Sequence, residues 1–360
     1  MGPMYRGKSI GVVVTAYKES AFVDRVIETV PSYVDRIYAV DDASPDDSWA
    51  VIQRAAARVN AESEPERAAA DGGDGRRVVP VRHDENRGYG AAVKTGYERA
   101  ARDGIDVVAV MNGDGQMDPT ILERIIDPVV DGEADYAKGN RLLYAEDREG
   151  MSTFRFVGNA LLSGLSKFAS GYWTISDPQN GYTAISREAI DELDLDAITD
   201  QYGFLNHLLT HLSVNDCRVA DVSMSALYGD EESSIRYAPF VRFVSLLLLR
   251  SFYWRLKRQY VIERFHPAVL FYAAGTAGLA VGSGGLAGSI VQAARGRDGF
   301  TGALASVLAV LVGVVSLGVA ISMDAAENES LQRTRYEDST DRERAALEQP
   351  AEPNRTDSPE

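Results

Sequence analysis

Cysteine is nearly absent from this 360-residue chain. Its single thiol, Cys217, excludes an internal disulfide and any cysteine-based zinc site. Histidine is almost as scarce. The four present, His83, His207, His211 and His266, form no tight cluster, and the i, i+4 pair His207/His211 has no further ligand nearby, so it reads as structural. Lysine is the third shortage: only six of the 37 basic residues are lysine, and 53 acids outnumber them to give a formal charge of -16. Such a surface argues against nucleic acid as a partner. An apolar leader is missing as well. MGPMYRGKS runs directly into a strand-like stretch, and the domain that follows is expected to stay in the compartment where it is made.

Long apolar runs do occur, but late. Residues 267–294 are 28 positions without a formal charge, and residues 299–323 are another 25. Each exceeds the roughly 20 residues that cross a bilayer. Only Arg295, Gly296, Arg297 and Asp298 separate them, which predicts a two-helix transmembrane hairpin. The spacing of Gly275, Gly278 and Gly282 permits close helix packing there. Just upstream, residues 236–264 carry seven cations against one acid, Glu263, interleaved with Phe240, Phe243, Phe252, Tyr253 and Trp254. A basic, aromatic, amphipathic segment of that kind predicts an interfacial helix. Its cations outweigh Arg295 and Arg297, which puts both termini and the main domain on the cytosolic side of the cell membrane. From Asp324 onward eleven acids, five arginines and three prolines predict a disordered tail. The expected division is a catalytic domain over 1–235, an interfacial segment over 236–265, two spans over 266–323 and a tail over 324–360.

The first 235 residues alternate between strand-like and helix-like patterns. SIGVVVT (residues 9–15) reads as a buried strand, residues 22–30 as an amphipathic helix, residues 36–40 as a second strand, and residues 46 onward as a second helix. Repeated strand, loop and helix predict right-handed βαβ units and an α/β, Rossmann-like, mostly parallel sheet. Residues 60–77 are polar and aperiodic and predict a surface loop. Residues 91–102 predict a helix whose amino end could face an anion, with Arg87 and Lys94 beside it.

The chain is organised around VVAVMNGDGQMDP (residues 107–119). Its β-branched, non-alternating start predicts a strand buried on both faces, so Asn112, Asp114, Gln116 and Asp118 fall at its carboxyl end. In open α/β sheets ligands bind at that edge. Asp114, between two glycines, is the candidate metal-side carboxylate.

Seven motifs in order strengthen the reading: TAYKES (15–20), VDDASPDD (40–47), NRGYGAAVKTGY (86–97), MNGDGQMDP (111–119), GNR (139–141), DPQNGYTAISREA (177–189) and YGDEESSIR (228–236). Together they resemble family 2 glycosyltransferases of GT-A fold, and within them the dolichol-phosphate mannose or glucose synthase branch. The resemblance implies transfer of one hexose from a UDP- or GDP-linked donor to a polyprenyl phosphate, with inversion. It implies that Ala16, Tyr17, Glu19, Asp41 and Asp42 hold the nucleoside, and that Asp114 and Gln116 hold Mg²⁺ or Mn²⁺ and the diphosphate, with Asn112 and Lys94 on the donor side. It further implies that Arg141, Asn180 and Arg236 meet the acceptor phosphate and that Asp177 lies where donor and acceptor meet.

Three departures stand out. Asn112 replaces the usual Asp, Lys18 and Asn180 are unusual at their positions, and FLNHLL (204–209) lacks the acid that hydroxyl-glycosylating relatives often carry. The last absence is physically coherent. A hydroxyl nucleophile needs a base, whereas a phosphate monoester, with a second pKa of about 6, is already largely ionised at neutral pH. A transferase acting on a hydroxyl of a lipid-linked glycan, and a non-catalytic scaffold of the same fold, remain alternatives at this stage.

Overall fold

The computed structural model describes residues 4–67, 76–143, 153–201, 203–224 and 237–335. In chain order the first half runs β1 (Ile10–Ala16), α1 (Val23–Thr29), β2 (Arg36–Asp41), α2 (Ser48–Arg67), β3 (Val78–Arg82), α3 (Tyr89–Arg102) and β4 (Val107–Asn112). It continues with α4 (Leu122–Val130), β5 (Tyr136–Asn140), α5 (Thr153–Ser170), β6 (Thr183–Ser186), α6 (Arg187–Glu192), α7 (Phe204–Val214) and β7 (Val219–Ser223). The carboxyl-terminal part is α8 (Tyr237–Lys257), α9 (Ala268–Ala294), α10 (Phe300–Glu327) and β8 (Gln332–Arg335).

The strands form one sheet in the order β3-β2-β1-β4-β6-β5-β7-β8, and β6 alone runs antiparallel to its neighbours. Both faces are covered, which explains the missing alternation in β4. Ala109 and Met111 pack with α1, α2 and α4 on one face, while Val108 and Val110 pack with α3 and α7 on the other. Because β2 lies on one side of β1 and β4 on the other, the chain reverses direction across the sheet between β1 and β4. A crevice opens at that point, outside the carboxyl ends of the strands.

Two expectations need correction. Residues 60–77 are not a loop from their start, because α2 continues to Arg67. Ala, Glu and Arg favour helix there, and the Asn60 amide pins α2 to β3, accepting from Val78 N (2.8 Å) and donating to Val78 O (3.0 Å). The tail does not begin at Asp324 either. Helix α10 runs to Glu327, and β8 then returns to the sheet as a parallel neighbour of β7. Residues 336–360 lie outside the described residues.

Helices α9 and α10 are long and apolar enough to cross a membrane; at 1.5 Å per residue each is about 40 Å long. Their outer faces carry exposed aliphatics such as Val281 (70%) and Val315 (65%), which rules out a buried helix pair inside a soluble core. Their inner faces meet through glycines. A Cβ on Gly278 would lie 2.9 Å from the Gly313 Cα, so the small-residue spacing is used within the hairpin itself.

Helix α8 packs Val244 and Leu248 against α5, and leaves Leu246, Leu249 and Tyr253 exposed. The charge count upstream of the hairpin overstates its surface charge. Arg255 is fully buried, Arg258 pairs with Glu263 (2.6 Å), and Arg264 pairs with Asp216 and with Glu327 (3.3 Å). Arg236 lies outside the described residues.

Candidate active site

The register of β1 and β4 sets Thr15 opposite Asn112, so the segments after both strands leave the sheet side by side. Gly113 donates its N–H to Thr15 O (2.8 Å), and a Cβ on it would stand 2.9 Å from that oxygen. Gly115 has φ +72, which favours glycine. The two glycines therefore let the turn close against β1 and reverse after Asp114; close approach of a ligand is not what requires them. Asp114 Oδ1 accepts from Gln116 N (3.0 Å). Burial pushes the Asp114 carboxyl above its ordinary range, an effect that bond and the neighbouring Asn112 amide only partly offset.

A cavity of about 450 Å³ opens here, walled by Ala16, Tyr17 and Glu19 after β1, Asp42 after β2, and Asn112 to Asp114 after β4. Tyr89, Gln179, Gly181 and Phe204 close it from above. The cavity thus gathers carboxylates, amides and phenols from the segments after β1, β2 and β4, the start of α3 and the turn before β6, at the sheet's switch point. The family model described as "Glycosyl transferase family 2" matches residues 11–194, just over half of the chain. The chain belongs to glycosyl transferase family 2.

Its relatives agree. The chain is 25% identical over 224 residues to the UDP-N-acetylglucosamine–dolichyl-phosphate N-acetylglucosaminyltransferase of Methanococcus voltae, covering 62% of this chain and 87% of that one. It is 30% identical over 211 residues to the polyprenol monophosphomannose synthase of Mycolicibacterium smegmatis, covering 57% and 72%. Among solved structures, glucosyl-3-phosphoglycerate synthase from Mycobacterium tuberculosis superposes with a TM-score of 0.47 at 19% identity, covering 69% of this chain and 80% of that one.

In this family 2 glycosyltransferase, the residues expected to bind the donor divide into two sets. Ala16, Tyr17, Glu19, Asp42, Asn112 and Asp114 line the cavity. Asp42 is nonetheless heavily used: Oδ1 accepts from His83 Nδ1 (2.7 Å) and Arg87 N (2.9 Å), and Oδ2 from Gly88 N (2.7 Å). It shapes the loop before α3. Asp41 sits behind the wall, fully buried, accepting from Ser44 N (3.3 Å) and pairing with Arg82 (3.2 Å).

Lys94 does not face the cavity. Its ammonium donates to Leu195 O (3.0 Å) and Ile198 O (2.8 Å) and pairs with Asp200 (2.5 Å), tying α3 to the segment before α7. The expectation of an anion-facing lysine is corrected accordingly: position 94 lies on the helix face turned toward α7. Gln116 likewise stands outside the lining, two residues past Asp114.

Of the residues expected on the acceptor side, Arg141 and Asp177 form a forked pair, Nε to Oδ2 at 2.7 Å and Nη2 to Oδ1 at 2.9 Å, with Arg141 N also donating to Oδ2 (3.1 Å). Burial alone would raise the Asp177 carboxyl; the bonds and charge of Arg141, with the charge of Lys138, hold it below its ordinary value. The guanidinium stays partly exposed while the carboxylate is fully buried. Asn180 is consumed internally, its Oδ1 accepting from Tyr182 N (3.0 Å) and its Nδ2 lying 3.1 Å from Met224 Sδ. Asn180 therefore shapes the turn before β6 and does not point an amide at an acceptor, as the resemblance had implied.

Asn86, Tyr89, Gln179, Gln201, Phe204 and Leu205 line the cavity without having been placed there by the sequence reading. Asn86, Tyr89 and Gln179 sit inside two of the motifs, and the only signal was a polar side chain within two residues of a motif glycine. As for a divalent cation, no group of three or more His, Cys, Asp or Glu side chains is poised for one among the described residues. Asp114 and the unpartnered Asn112 Oδ1 still offer one charged and one neutral oxygen at one edge of the cavity. That set suits a hard cation whose remaining ligands come from a diphosphate and water.

Proposed function

We propose that this glycosyltransferase moves one hexose from a UDP- or GDP-linked donor to a polyprenyl phosphate, inverting the anomeric carbon, at the cytosolic face of the cell membrane. The observation that carries the reading is that the membrane hairpin is built into the sheet that holds the cavity. Helix α8 enters it from beside α5, and β8 returns from it to pair with β7. A site fixed in that way against a bilayer suits a lipid acceptor, and the names of both relatives point the same way.

Within this reading Ala16, Tyr17, Glu19 and Asp42 receive the nucleoside, and Asp114 with Asn112 holds Mg²⁺ or Mn²⁺. The chemistry such a cation supplies is neutralisation of charge on the departing nucleoside diphosphate. Arg141, oriented by Asp177, meets the acceptor phosphate together with Arg236. A forked, rigid guanidinium recognises phosphate by paired hydrogen bonds. Because the acceptor arrives already ionised, these residues need only align it with the anomeric carbon and keep water away.

The test is turnover by full-length protein in nanodiscs, supplied with UDP-glucose, UDP-N-acetylglucosamine or GDP-mannose and dolichyl phosphate, with Mg²⁺ or Mn²⁺. Formation of a polyprenyl-linked sugar supports the reading. Product only with a lipid-linked glycan as acceptor, or none with any donor, defeats it.

A further inference from the structure

Behind the Arg141–Asp177 fork lies a second ion pair that the proposed reaction does not use. Lys138 and Asp221 stand opposite each other in the parallel pairing of β5 and β7, and both are buried. Lys138 Nζ donates to Asp221 Oδ1 (3.1 Å), Ser176 O (2.6 Å) and Gly139 O (3.0 Å). Asp221 Oδ2 accepts from Ser176 N (2.8 Å) and from Asn140 Nδ2 (2.6 Å). A buried ion pair contributes little stability over a well-packed apolar pair of similar size. What distinguishes this one is where its bonds go: to the residues that flank the fork.

Both flanks are held. Ser176 precedes Asp177, and its two backbone groups are gripped at once, the N–H by Asp221 and the carbonyl by Lys138. Asp177 itself has φ +48, a left-handed conformation that a residue with a side chain keeps only where its surroundings over-determine it. Its N–H donates to Ser163 Oγ (3.1 Å), and its carbonyl accepts from Asn180 N (3.1 Å). On the other flank Asn140 precedes Arg141. Its amide donates to Asp221 while its Oδ1 accepts from Leu142 N (2.8 Å), so this one side chain braces the backbone before and after Arg141. A single carboxylate thus reaches both segments that carry the fork, Asp177 through Ser176 and Arg141 through Asn140.

We propose that Asp221, paired with Lys138, is a positioning residue for acceptor binding: it fixes the Arg141 guanidinium through Asn140 and Ser176 without itself touching substrate. This rests on the function proposed above, which sets Arg141 against the acceptor phosphate. A fork recognises phosphate by angle as well as by charge, and a displacement of about 1 Å far from the chemistry is enough to lose about a hundredfold in rate. Asp221→Asn replaces one acceptor oxygen by an NH₂. Wherever that group points it meets a donor, either Lys138 Nζ or the Ser176 and Asn140 N–H groups, and at least one arm of the brace is lost.

The experiment is steady-state kinetics of full-length protein in nanodiscs, with whichever nucleotide sugar turns over and dolichyl phosphate varied in turn. It compares the wild type with Asp221→Asn, Asn140→Ala, Arg141→Lys, which keeps the charge but cannot fork, and the double variant Arg141→Lys/Asp221→Asn. KM does not depend on how much of the enzyme is folded, so partial unfolding of a variant lowers its apparent kcat and leaves this readout intact. Asp221→Asn raises the KM for dolichyl phosphate about tenfold and leaves the donor KM within about twofold. Asn140→Ala, which spares the Lys138–Asp221 pair and its hold on Ser176, raises the same KM about threefold. It decides the matter alone should Asp221→Asn yield no folded protein. In the double variant the acceptor KM stays near that of Arg141→Lys, because a residue acting through the fork adds little once the fork is gone. Equal rises in both KMs, no rise in the acceptor KM, or single effects that multiply in the double variant overturn the positioning role while the proposed function stands. A wild type that makes no polyprenyl-linked sugar overturns the function and the positioning role together.

Discussion

Arg255 and Asp324, 69 positions apart, form a fully buried forked ion pair, Nη1 to Oδ1 at 2.8 Å and Nη2 to Oδ2 at 2.9 Å. Arg255 belongs to α8 and Asp324 to the last turn of α10. The guanidinium also donates to Ala169 O (3.0 Å) and Phe168 O (3.2 Å) at the end of α5, and Asp324 accepts from Trp173 Nε1 (3.2 Å), the Tyr260 hydroxyl and Asn328. One knot therefore ties the end of α5 in the α/β domain, helix α8 and the second long apolar helix, α10, together.

Breaking that knot leaves a charge buried without its partner. Asp324→Asn or Arg255→Met is expected to destabilise the protein by about 3–5 kcal/mol, read as a fall in the unfolding midpoint in detergent. The double variant Arg255→Met/Asp324→Leu recovers only part of the loss, because Trp173, Tyr260 and Asn328 still lack an acceptor. A single variant as stable as the wild type would show the pair to be incidental.

Asp114, as the proposed cation ligand, is expected to govern the pH response of catalysis. Burial raises its carboxyl, and a protonated carboxyl is a poor cation ligand, so activity falls on acidification beginning above about pH 4, the ordinary carboxylate range. Raising Mn²⁺ concentration should shift the acid limb to lower pH. Asp114→Ala should remove turnover while leaving the unfolding midpoint near that of the wild type. An acid limb indifferent to Mn²⁺ would separate Asp114 from the cation.

Asp177 is expected to act through Arg141. Asp177→Asn removes the charge that orients the fork, and the KM for dolichyl phosphate should rise by about tenfold or more with little change in the KM of the donor. The pair also contributes a pH term to stability. The Asp177 carboxyl lies below its unfolded value, so its contribution is complete above the unfolded pKa and disappears as pH falls through the folded one. A donor KM that rises in step with the acceptor KM would remove Arg141 from the acceptor side.

His207 and His211 set a second pH term, of opposite chemical origin. Burial lowers both to about 4; neighbouring His211 and then Lys94 add to the effect at His207, and Asp194 opposes it at His211. The unfolded chain takes up protons at about 6.5 that the folded chain refuses. Stability is therefore complete above about pH 6.5 and declines toward about pH 4. The double variant His207→Gln/His211→Gln should flatten that decline in unfolding midpoints measured across the interval. A decline unchanged in the variant would exonerate the pair.

The sequence shows the sheet and the hairpin plainly because each rests on local pattern: the non-alternating run of β4, the β-branched run of β1, and two uncharged stretches each long enough to cross a bilayer. It shows Asp114 for the same reason, as a carboxylate at the end of such a strand. What it does not show depends on partners distant in the chain. Arg255 counts as one more surface cation until Asp324 is seen beside it, and Lys94 as an anion contact until three backbone and carboxylate oxygens are found around it. Asp324 itself misleads, because a carboxylate that opens a charged tail in the sequence closes a buried network in space.

The return of β8 to the sheet has a consequence for biogenesis. The strand follows both apolar helices in the chain, so β7 keeps an unpaired edge until everything between Ser223 and Gln332 has been made. A chain cut short before Gln332 would present that edge to other strands.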